Sequence, residues 1–215
     1  MTQRKRKGAL PVTVLLVAAL AAGAGSAFAQ ATQKGKKKMT QGNVTAVIET
    51  TLGTIEAELY REDAPKTVEN FVGLAEKKYF DGIIFHRVVP GFVIQGGDPT
   101  GTGTGGKSIW GKEFADELNP AAPSYKEGYR KGVLAMANRG RNTNTSQFFI
   151  MLADNTTLPK NYTIFGKVVK GMDVVDAIGK VPLQGGMGPD ASKPVTPVVM
   201  KKVRVRQSSA PQTKH

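Results

Sequence analysis

The sequence contains no cysteine and only two histidines among its 215 residues. Without cysteine the chain has no disulfide, thiolate zinc site, iron–sulfur cluster or cysteine nucleophile. Because His215 lies in a polar C-terminal stretch, His86 is left as the candidate for histidine chemistry. On a strand, His86 alternates with its neighbour Arg87, so we expect it to pack in the interior and not to serve as the base of a Ser–His–Asp triad.

Acidic residues are also scarce, and residues 1–42 contain none. The formal net charge is +13, which raises the question of a nucleic-acid or membrane-surface partner. Eight of the basic residues lie at positions 4–7 and 34–38, outside the region in which a folded domain is predicted. The rest of the chain carries only +5, and we therefore expect no nucleic-acid partner.

Long apolar runs are absent except near the N-terminus, where residues 1–29 have the pattern of a secretory signal peptide. Basic residues at positions 4–7 precede an apolar run at positions 11–22. The Ala-Phe-Ala sequence at positions 27–29 has the small residues that signal peptidases require, which makes Gln30 the expected first residue after cleavage. The pattern predicts an exported protein.

An uncleaved membrane anchor is the alternative interpretation of the same segment. Residues 9–29 nearly reach the length of a bilayer span, but the glycines at positions 23 and 25 dilute their apolar character. Adjacent arginines are missing, which argues against a twin-arginine signal. After cleavage we expect a protein of the periplasm or the extracellular medium, without membrane contact.

The rest of the chain is predicted to contain one folded domain between two polar stretches. Residues 30–42 (QATQKGKKKMTQG) are rich in lysine and lack any apolar period, which predicts a disordered linker. Residues 207–215 have the same character and predict a disordered tail. The domain between them, residues 43–206, is long enough for one hydrophobic core. Nothing in it predicts self-association, and we expect a monomer.

Short β-rich segments, one of which (54–60) alternates apolar and polar residues, predict that the domain is mainly β. The predicted strands are 44–49, 54–60, 83–89, 93–95, 133–138, 147–151, 164–169 and 198–205, of which the first two form a hairpin. Two helices are predicted, one with Asp63 as N-cap and Pro65 in its first turn, and one over residues 172–178. Many short antiparallel strands with two helices indicate a closed β-barrel and not a βαβ sheet.

Residues 101–108 (GTGTGGKS) match the phosphate-binding loop pattern G-x-x-x-x-G-K-[ST] letter for letter. Such a loop binds phosphate only between a strand and a helix, because amide groups and the helix dipole must point at the anion. Here Pro99 precedes the loop, Gly111 interrupts any helix after it, and Pro120 limits the length of any later helix. We therefore interpret the segment as a glycine-rich surface loop and not as a nucleotide site.

Five segments resemble those of one known family, in the same order. They are APKTVENF at 64–71, FHRVVPGFVIQGGD at 85–98, GTGGKSI at 103–109, MAN at 136–138 followed by NTNTSQFFI at 142–150, and FGKV at 165–168. Together they resemble the cyclophilin-type peptidyl-prolyl cis-trans isomerases. The resemblance implies a closed eight-stranded antiparallel barrel capped by two helices. It also implies an enzyme (EC 5.2.1.8) that speeds X–Pro rotation in unfolded or folding proteins, with no cofactor and no metal.

The resemblance also implies which residues form the site. When the amide twists, the prolyl nitrogen recovers its lone pair, and a fixed donor beside it stabilises that state. Arg87 is the candidate donor, because its charge is permanent and its donors form a rigid fork. Gln95 and Phe92 complete the catalytic set. The substrate-binding candidates are Val93, Gly103, Ala137, Asn138, Arg139, Gln147, Phe149, Thr157, Leu158 and Tyr162.

Three positions depart from the best-known pattern of the family. Arg139 stands where Ala is common, Thr157 where Trp is common, and Tyr162 where His is common. Tyr162 still supplies a ring and a hydroxyl, whereas Thr157 is expected to weaken inhibition by cyclosporin-type ligands.

Two alternative functions remain: a non-catalytic proline-binding module on the same fold, and a basic interaction protein that acts through its Lys-rich ends. Binding through those ends would fall steeply with ionic strength.

Overall fold

The computed structural model of the protein describes residues 43–207. Its strands are β1 (Val44–Thr50), β2 (Gly53–Leu59), β3 (Arg87–Val89), β4 (Val93–Gly96), β5 (Val133–Met136), β6 (Phe148–Met151), β7 (Ile164–Lys170) and β8 (Met200–Gln207). Its α-helices are α1 (Pro65–Glu76), α2 (Pro123–Glu127) and α3 (Met172–Ile178), and a 3₁₀ helix covers Pro189–Ser192. The predicted signal peptide and linker, and the predicted tail beyond residue 207, lie outside the described residues.

All eight strands form one antiparallel sheet with the order β3-β4-β6-β5-β7-β2-β1-β8. Because β3 and β8 are its two edges, the sheet is a curled, open half-barrel, and the predicted closed barrel is wrong in this respect. The segments that lead into these two strands meet at an isolated bridge between Ile84 and Val199. Backbone amides of Gly82, Phe85 and Met200 donate across this contact to the carbonyls of Met200, Val198 and Ile83, at 2.8–2.9 Å, but within residues 43–207 the bridge does not extend into a ladder between β3 and β8.

The sequence predicts two helices, and the described residues contain a third. In α1 the apolar positions that predicted the helix, Val68, Phe71, Val72 and Ala75, are all buried. The additional helix, α2, has only five residues, which is too short for a 3.6-residue period to become visible. No helix within residues 43–207 is long and apolar enough to cross a membrane.

The main hydrophobic core lies between α1 and one face of the sheet. Phe148 of β6 is fully buried there, and the rings of Phe71, Phe80, Phe85 and Phe165 surround it with centroids 5.6–6.5 Å away. These four rings meet Phe148 at 80–89°, the edge-to-face arrangement that aromatic quadrupoles favour. Helix and sheet are therefore joined by a single aromatic cluster.

Strands β4 and β6 bury side chains on both faces of the sheet. On one face, Ile94 and Ile150 belong to the main core; on the other, Val93 and Phe149 belong to a separate cluster. We call this the outer cluster, and its buried members are Val93, Tyr129, Val133, Ala135, Phe149, Met151 and Ile164. Because side chains alternate along a strand, the strands that build the core also build this second apolar surface.

The N-terminus of α1 is capped by a residue from a distant loop. The carboxylate of Glu117 accepts hydrogen bonds from the amides of Lys66 and Thr67, at 3.0 and 2.9 Å, and from the Thr67 hydroxyl at 2.8 Å. The amides at a helix start have no partner within the helix, and a negative charge there is favourable. The predicted N-cap, Asp63, instead accepts the amide of Ser124 in α2 at 2.8 Å, so that prediction is wrong.

We predict that Glu117→Ala lowers the free energy of unfolding by about 1–2 kcal/mol, because it leaves two helix-start amides without an acceptor. Glu69→Ala, on the exposed side of the same helix, is the matched control and is expected to change stability by less than about 0.5 kcal/mol. Urea unfolding followed by circular dichroism measures both. Equal stability of the two variants would contradict the capping role.

Candidate active site

One row of side chains crosses the sheet from its edge to its middle. Arg87 in β3 pairs with Gln95 in β4, Gln95 pairs with Phe149 in β6, and Phe149 pairs with Ala135 in β5. Directly opposite residues of antiparallel strands project from the same face of a sheet. The row therefore brings Arg87, Gln95 and Phe149 together, although they are far apart in the sequence.

A tight turn sets this register. The amide of Phe92 donates to the carbonyl of Val89 at 2.9 Å, and Gly91 has φ +71°, a conformation that glycine adopts without strain. The turn pairs Val89 with Val93, and the next pairing on the same face is that of Arg87 with Gln95. The eight-residue spacing seen in the sequence thus becomes a direct contact.

A series of hydrogen bonds fixes the Arg87 side chain. Nη1 of Arg87 donates to Oε1 of Gln95 at 3.3 Å, and Nε2 of Gln95 donates to Oε1 of Gln147 at 3.0 Å. Nε2 of Gln147 donates to the carbonyls of Gly103 and Gly105, at 2.9 and 2.8 Å. Each amide accepts at its oxygen and donates at its nitrogen, so the series has one direction. The other N–H groups of Arg87 have no hydrogen-bond partner among residues 43–207 and are available to a substrate.

A buried carboxylate organises the glycine-rich loop. Asp98 is 1% exposed and accepts hydrogen bonds of 2.6–3.1 Å from the amides of Thr100, Gly103 and Gly105 and from the Thr100 hydroxyl. Burial opposes the charge of Asp98, but these hydrogen bonds outweigh burial and lower its pKa below the ordinary value. Amides that a phosphate would need are already used, and residues 107–122 contain no helix. These findings favour the surface-loop interpretation over a nucleotide site.

The outer cluster supplies an apolar surface beside Arg87. Val93 and Phe149 are buried in it, and Phe92, Leu158 and Tyr162 pack against it while remaining partly exposed. The rings of Phe149 and Tyr162 meet nearly at right angles, at 83°, with centroids 5.6 Å apart. A partly exposed apolar surface with aromatic walls suits a proline ring. The structure thus brings together five predicted site residues: Phe92, Val93, Phe149, Leu158 and Tyr162.

Five of the seven buried members of the outer cluster were not predicted as site residues, and Tyr129 and Met151 are two of them. The Tyr129 hydroxyl donates to the carbonyl of Tyr162 and accepts its amide, both at 3.0 Å, and so positions that ring. Burial raises the pKa of Tyr129 to about 12, which keeps the hydroxyl protonated even in alkaline solution. Met151 follows Phe149 by two residues in β6, so strand alternation indicated its position. No comparable signal surrounds Tyr129.

A small polar cleft of about 60 Å³ adjoins this surface. It is lined by Gln95, Gly103, Ala137, Asn138, Arg139, Thr143, Thr145 and Gln147, six of which are predicted site residues. Ala137 also packs against the outer cluster and so joins the two surfaces. The Asn138 amide donates to the carbonyl of Asn161 at 3.0 Å, which ties the cleft edge to the segment carrying Tyr162. The two threonines were missed because short polar residues in a loop carry no distinctive signal.

Thr157 is the predicted substrate-binding residue that the structure leaves outside both the outer cluster and the polar cleft. Its side chain is exposed, and its amide and hydroxyl bond to Oδ1 of Asn155 at 3.0 and 3.1 Å. The amide of Leu158 bonds to the same oxygen at 2.7 Å. This turn directs Leu158 against the outer cluster and leaves Thr157 exposed.

His86 lies behind the catalytic candidates and not among them. It is 7% exposed, burial lowers its pKa, and neither ring nitrogen has a hydrogen-bond partner among the described residues. A Cβ built on Gly103 would lie 3.5 Å from its Nε2, so the glycine-rich loop rests against the ring. As predicted, His86 is a packing residue, since no carboxylate orients it and no hydroxyl bonds to it.

The chain belongs to the cyclophilin-type peptidyl-prolyl cis-trans isomerases, since the model of that family, described as "Cyclophilin type peptidyl-prolyl cis-trans isomerase/CLD", matches residues 45–205. Peptidyl-prolyl cis-trans isomerase-like 1 of Neurospora crassa is 49% identical over 158 residues, which cover 74% of this chain and 91% of that protein. Peptidyl-prolyl cis-trans isomerase-like 3 of Dictyostelium discoideum is 41% identical over 162 residues, which cover 75% of this chain and 95% of that protein. The protein is therefore an enzyme of class EC 5.2.1.8.

Solved structures agree with this assignment. A cyclophilin-type peptidyl-prolyl cis-trans isomerase of Cryptosporidium parvum has a TM-score of 0.69 and 36% identity, with 79% of this chain and 99% of that one covered. A second crystal structure of that protein, in the presence of the dipeptide Ala-Pro, gives the same score and identity over 76% of this chain. The resemblance seen in the sequence is confirmed.

We predict weak inhibition by cyclosporin-type ligands, because exposed Thr157 offers little apolar area at a position where a tryptophan ring is common in the family. Thr157→Trp is expected to tighten inhibition at least tenfold, and Thr156→Trp, at the exposed neighbouring position, is the matched control. Inhibition constants from a peptide isomerisation assay measure the effect. Tight inhibition of the unaltered protein, or equal constants for all three proteins, would contradict the prediction.

Proposed function

We propose that residues 43–206 accelerate the rotation of X–Pro bonds in exported proteins and so assist their folding. The observation that carries this proposal is the Arg87 guanidinium, which Gln95 holds on the same face of the sheet as the outer cluster. The proline ring would bind against Phe92, Phe149 and their neighbours, and free N–H groups of Arg87 would lie beside the prolyl nitrogen.

The chemistry requires a preference for the twisted amide. The barrier to rotation is roughly 18–20 kcal/mol and comes from the partial double bond between carbon and nitrogen. A turnover of about 1000 per second would be about five decades above the spontaneous rate, a reduction of roughly 7 kcal/mol. Because no covalent bond is made or broken, neither a nucleophile nor a metal is needed. A donor that binds the pyramidal nitrogen acts on the twisted state alone.

The remaining site residues would hold the substrate on both sides of the rotating bond. The apolar surface of Phe92, Val93 and Leu158 would immobilise the ring, since a dry slot favours an apolar ring over water. Gln147 and Asn138 would contact the substrate backbone along the polar cleft. A rotation with one side held and the other free needs no larger motion of the enzyme.

The substrate class follows from the family and from one of its members. The C. parvum protein was crystallised in the presence of Ala-Pro. By analogy, we expect the substrates of this chain to be proline-containing segments of unfolded or folding proteins. We expect the chain to bind them as a monomer and without a cofactor. The basic patterns near the ends take no part in the reaction in this proposal.

Export is the second half of the proposal and depends on residues 1–29. Their basic, apolar and small-residue segments have the order of a secretory signal. Cleavage before Gln30 would release the enzyme into the periplasm or the medium, where newly exported chains fold. Prolyl isomerisation takes tens of seconds or longer without catalysis, so an isomerase in that compartment would speed a slow folding step.

Arg87→Ala is expected to lower kcat/KM at least tenfold, because it removes the donor to the twisted nitrogen, a loss of at least about 1.4 kcal/mol. Arg206→Ala, which removes an exposed arginine from β8, is the matched control and should retain full activity. A protease-coupled assay on an Ala-Pro or Phe-Pro peptide measures both.

A melting curve must show that the Arg87 variant is folded. A folded Arg87→Ala protein with undiminished rate would overturn the role of Arg87. A folded unaltered protein that binds proline peptides without turnover would favour the non-catalytic binding module.

Expression of residues 1–215 in a bacterium tests export. We expect a mature protein that begins at Gln30, found by N-terminal sequencing of the periplasmic fraction. Ala29→Asp should block cleavage, because the residue before the cut must be small. An unaltered protein that keeps its first 29 residues in the membrane would support an anchor, and one that stays in the cytoplasm would refute export.

A further inference from the structure

The side chain of Arg139 spans the polar cleft. Its Nη1 donates to the carbonyl of Thr104 in the glycine-rich loop at 3.1 Å. Its Nη2 lies 2.7 Å from Oε1 of Glu113, with which it forms an ion pair. Arg139 itself belongs to the segment on the other side of the cleft, where its amide donates to the Thr143 hydroxyl at 2.9 Å. A cationic group therefore stands at the mouth of a cleft whose floor contains Gln95 and Gln147.

The cleft is polar and lies next to the reaction centre. Its lining includes Gln95, which contacts Arg87, and Ala137, which packs against the outer cluster. A proline seated on that cluster would have a neighbouring residue of its own chain at the cleft. The cleft is too small for an aromatic side chain, and Thr143, Thr145 and Arg139 make it suited to a short polar one.

The other carboxylates near this region are already engaged. Asp98 is occupied by the amides of the glycine-rich loop. Asp116 accepts the amide of Asn142 at 2.8 Å and the side chain of Asn144 at 2.7 Å. Among residues 43–207, Arg139 forms its ion pair with Glu113, and the carboxylates of Asp98 and Asp116 are engaged by other donors.

The ion pair between Arg139 and Glu113 is exchangeable. The two side chains are 58% and 43% exposed, and ion pairs in such positions contribute little to stability. Arg139 also remains attached to the Thr104 carbonyl when Glu113 leaves, so its guanidinium stays at the cleft mouth. A carboxylate from a bound peptide can therefore replace Glu113 at small cost.

We propose that Arg139 is a specificity-determining residue that selects substrates with Asp or Glu close to the proline, by pairing with that carboxylate in place of Glu113. The proposal rests on the proposed isomerase activity and adds a substrate preference to it. Glu113 acts as the internal competitor, which limits the preference and prevents tight capture of acidic chains.

Peptides that differ in one residue flanking the X–Pro pair test the proposal. One peptide series varies the residue before X, and a second series varies the residue after the proline. In each series that residue is Glu, Gln or Lys in turn, and kcat/KM is measured at low salt. At one position we expect Glu to exceed Gln roughly three- to fivefold and Lys to fall below Gln. The preference should largely disappear in 0.5 M NaCl, because the pair is exposed.

Variants assign the preference to its residue. Arg139→Gln should make the Glu and Gln peptides equal. Glu113→Gln should increase the ratio of the rate on the Glu peptide to that on the Gln peptide roughly twofold. Glu127→Gln, which removes the carboxylate of a similarly exposed ion pair with Lys167, is the matched control and should leave the ratio as it is.

The outcomes separate this proposal from the activity on which it rests. Absence of turnover on every peptide would refute the proposed function. Turnover on all peptides with equal rates at every position would refute the role of Arg139 alone. A preference for Glu that survives Arg139→Gln would also refute it.

Discussion

The side-chain amide of Gln147 is the contact on which the site geometry depends. Its oxygen accepts the Gln95 amide, and its nitrogen donates to the carbonyls of both Gly103 and Gly105. It is buried, so these bonds are made without competition from bulk water. Through Gln95 it fixes Arg87, and through the two carbonyls it holds the glycine-rich loop against the sheet. The guanidinium of Arg87, at the edge of the sheet, is thereby tied to a buried residue of the loop before β6.

A rigid donor matters because the planar and twisted states of the amide differ little in their electrostatics. Planar and twisted amides differ at one nitrogen lone pair and in the dipole of one carbonyl, and no charge is created. A donor that had to reorganise would lose much of its advantage in the reorganisation, whereas a fixed one acts at once. The bonds that run from Arg87 through Gln95 to Gln147 leave most of the guanidinium donors without a partner among residues 43–207. In the proposed function, apolar packing of the ring beside Phe149 would supply orientation, and Arg87 would supply the preference for the twisted state.

The sequence was informative where local patterns decide structure, and silent where distant contacts do. The β-rich composition of residues 83–89 and 93–95 predicted two strands, and the Pro90-Gly91 turn between them made the contact of Arg87 with Gln95 predictable. The cap of α1 by Glu117 was not, because an acceptor about fifty residues away leaves no trace near the helix. The open sheet was missed for a related reason, since closure depends on how two edge segments meet at Ile84 and Val199.

The glycine-rich loop shows why letters alone are an unsafe guide to chemistry. A phosphate-binding loop directs its amides outward to an anion. Here the amides of Gly103 and Gly105 turn inward to Asp98, and the carbonyls of residues 103, 104 and 105 accept hydrogen bonds from Gln147 and Arg139. The same glycines that permit close approach to a phosphate permit close approach to a buried carboxylate. Because the loop turns its amides inward, it presents carbonyl acceptors, and the groups that it holds are donors: the side-chain amide of Gln147 beside Gln95 and the guanidinium of Arg139 at the cleft.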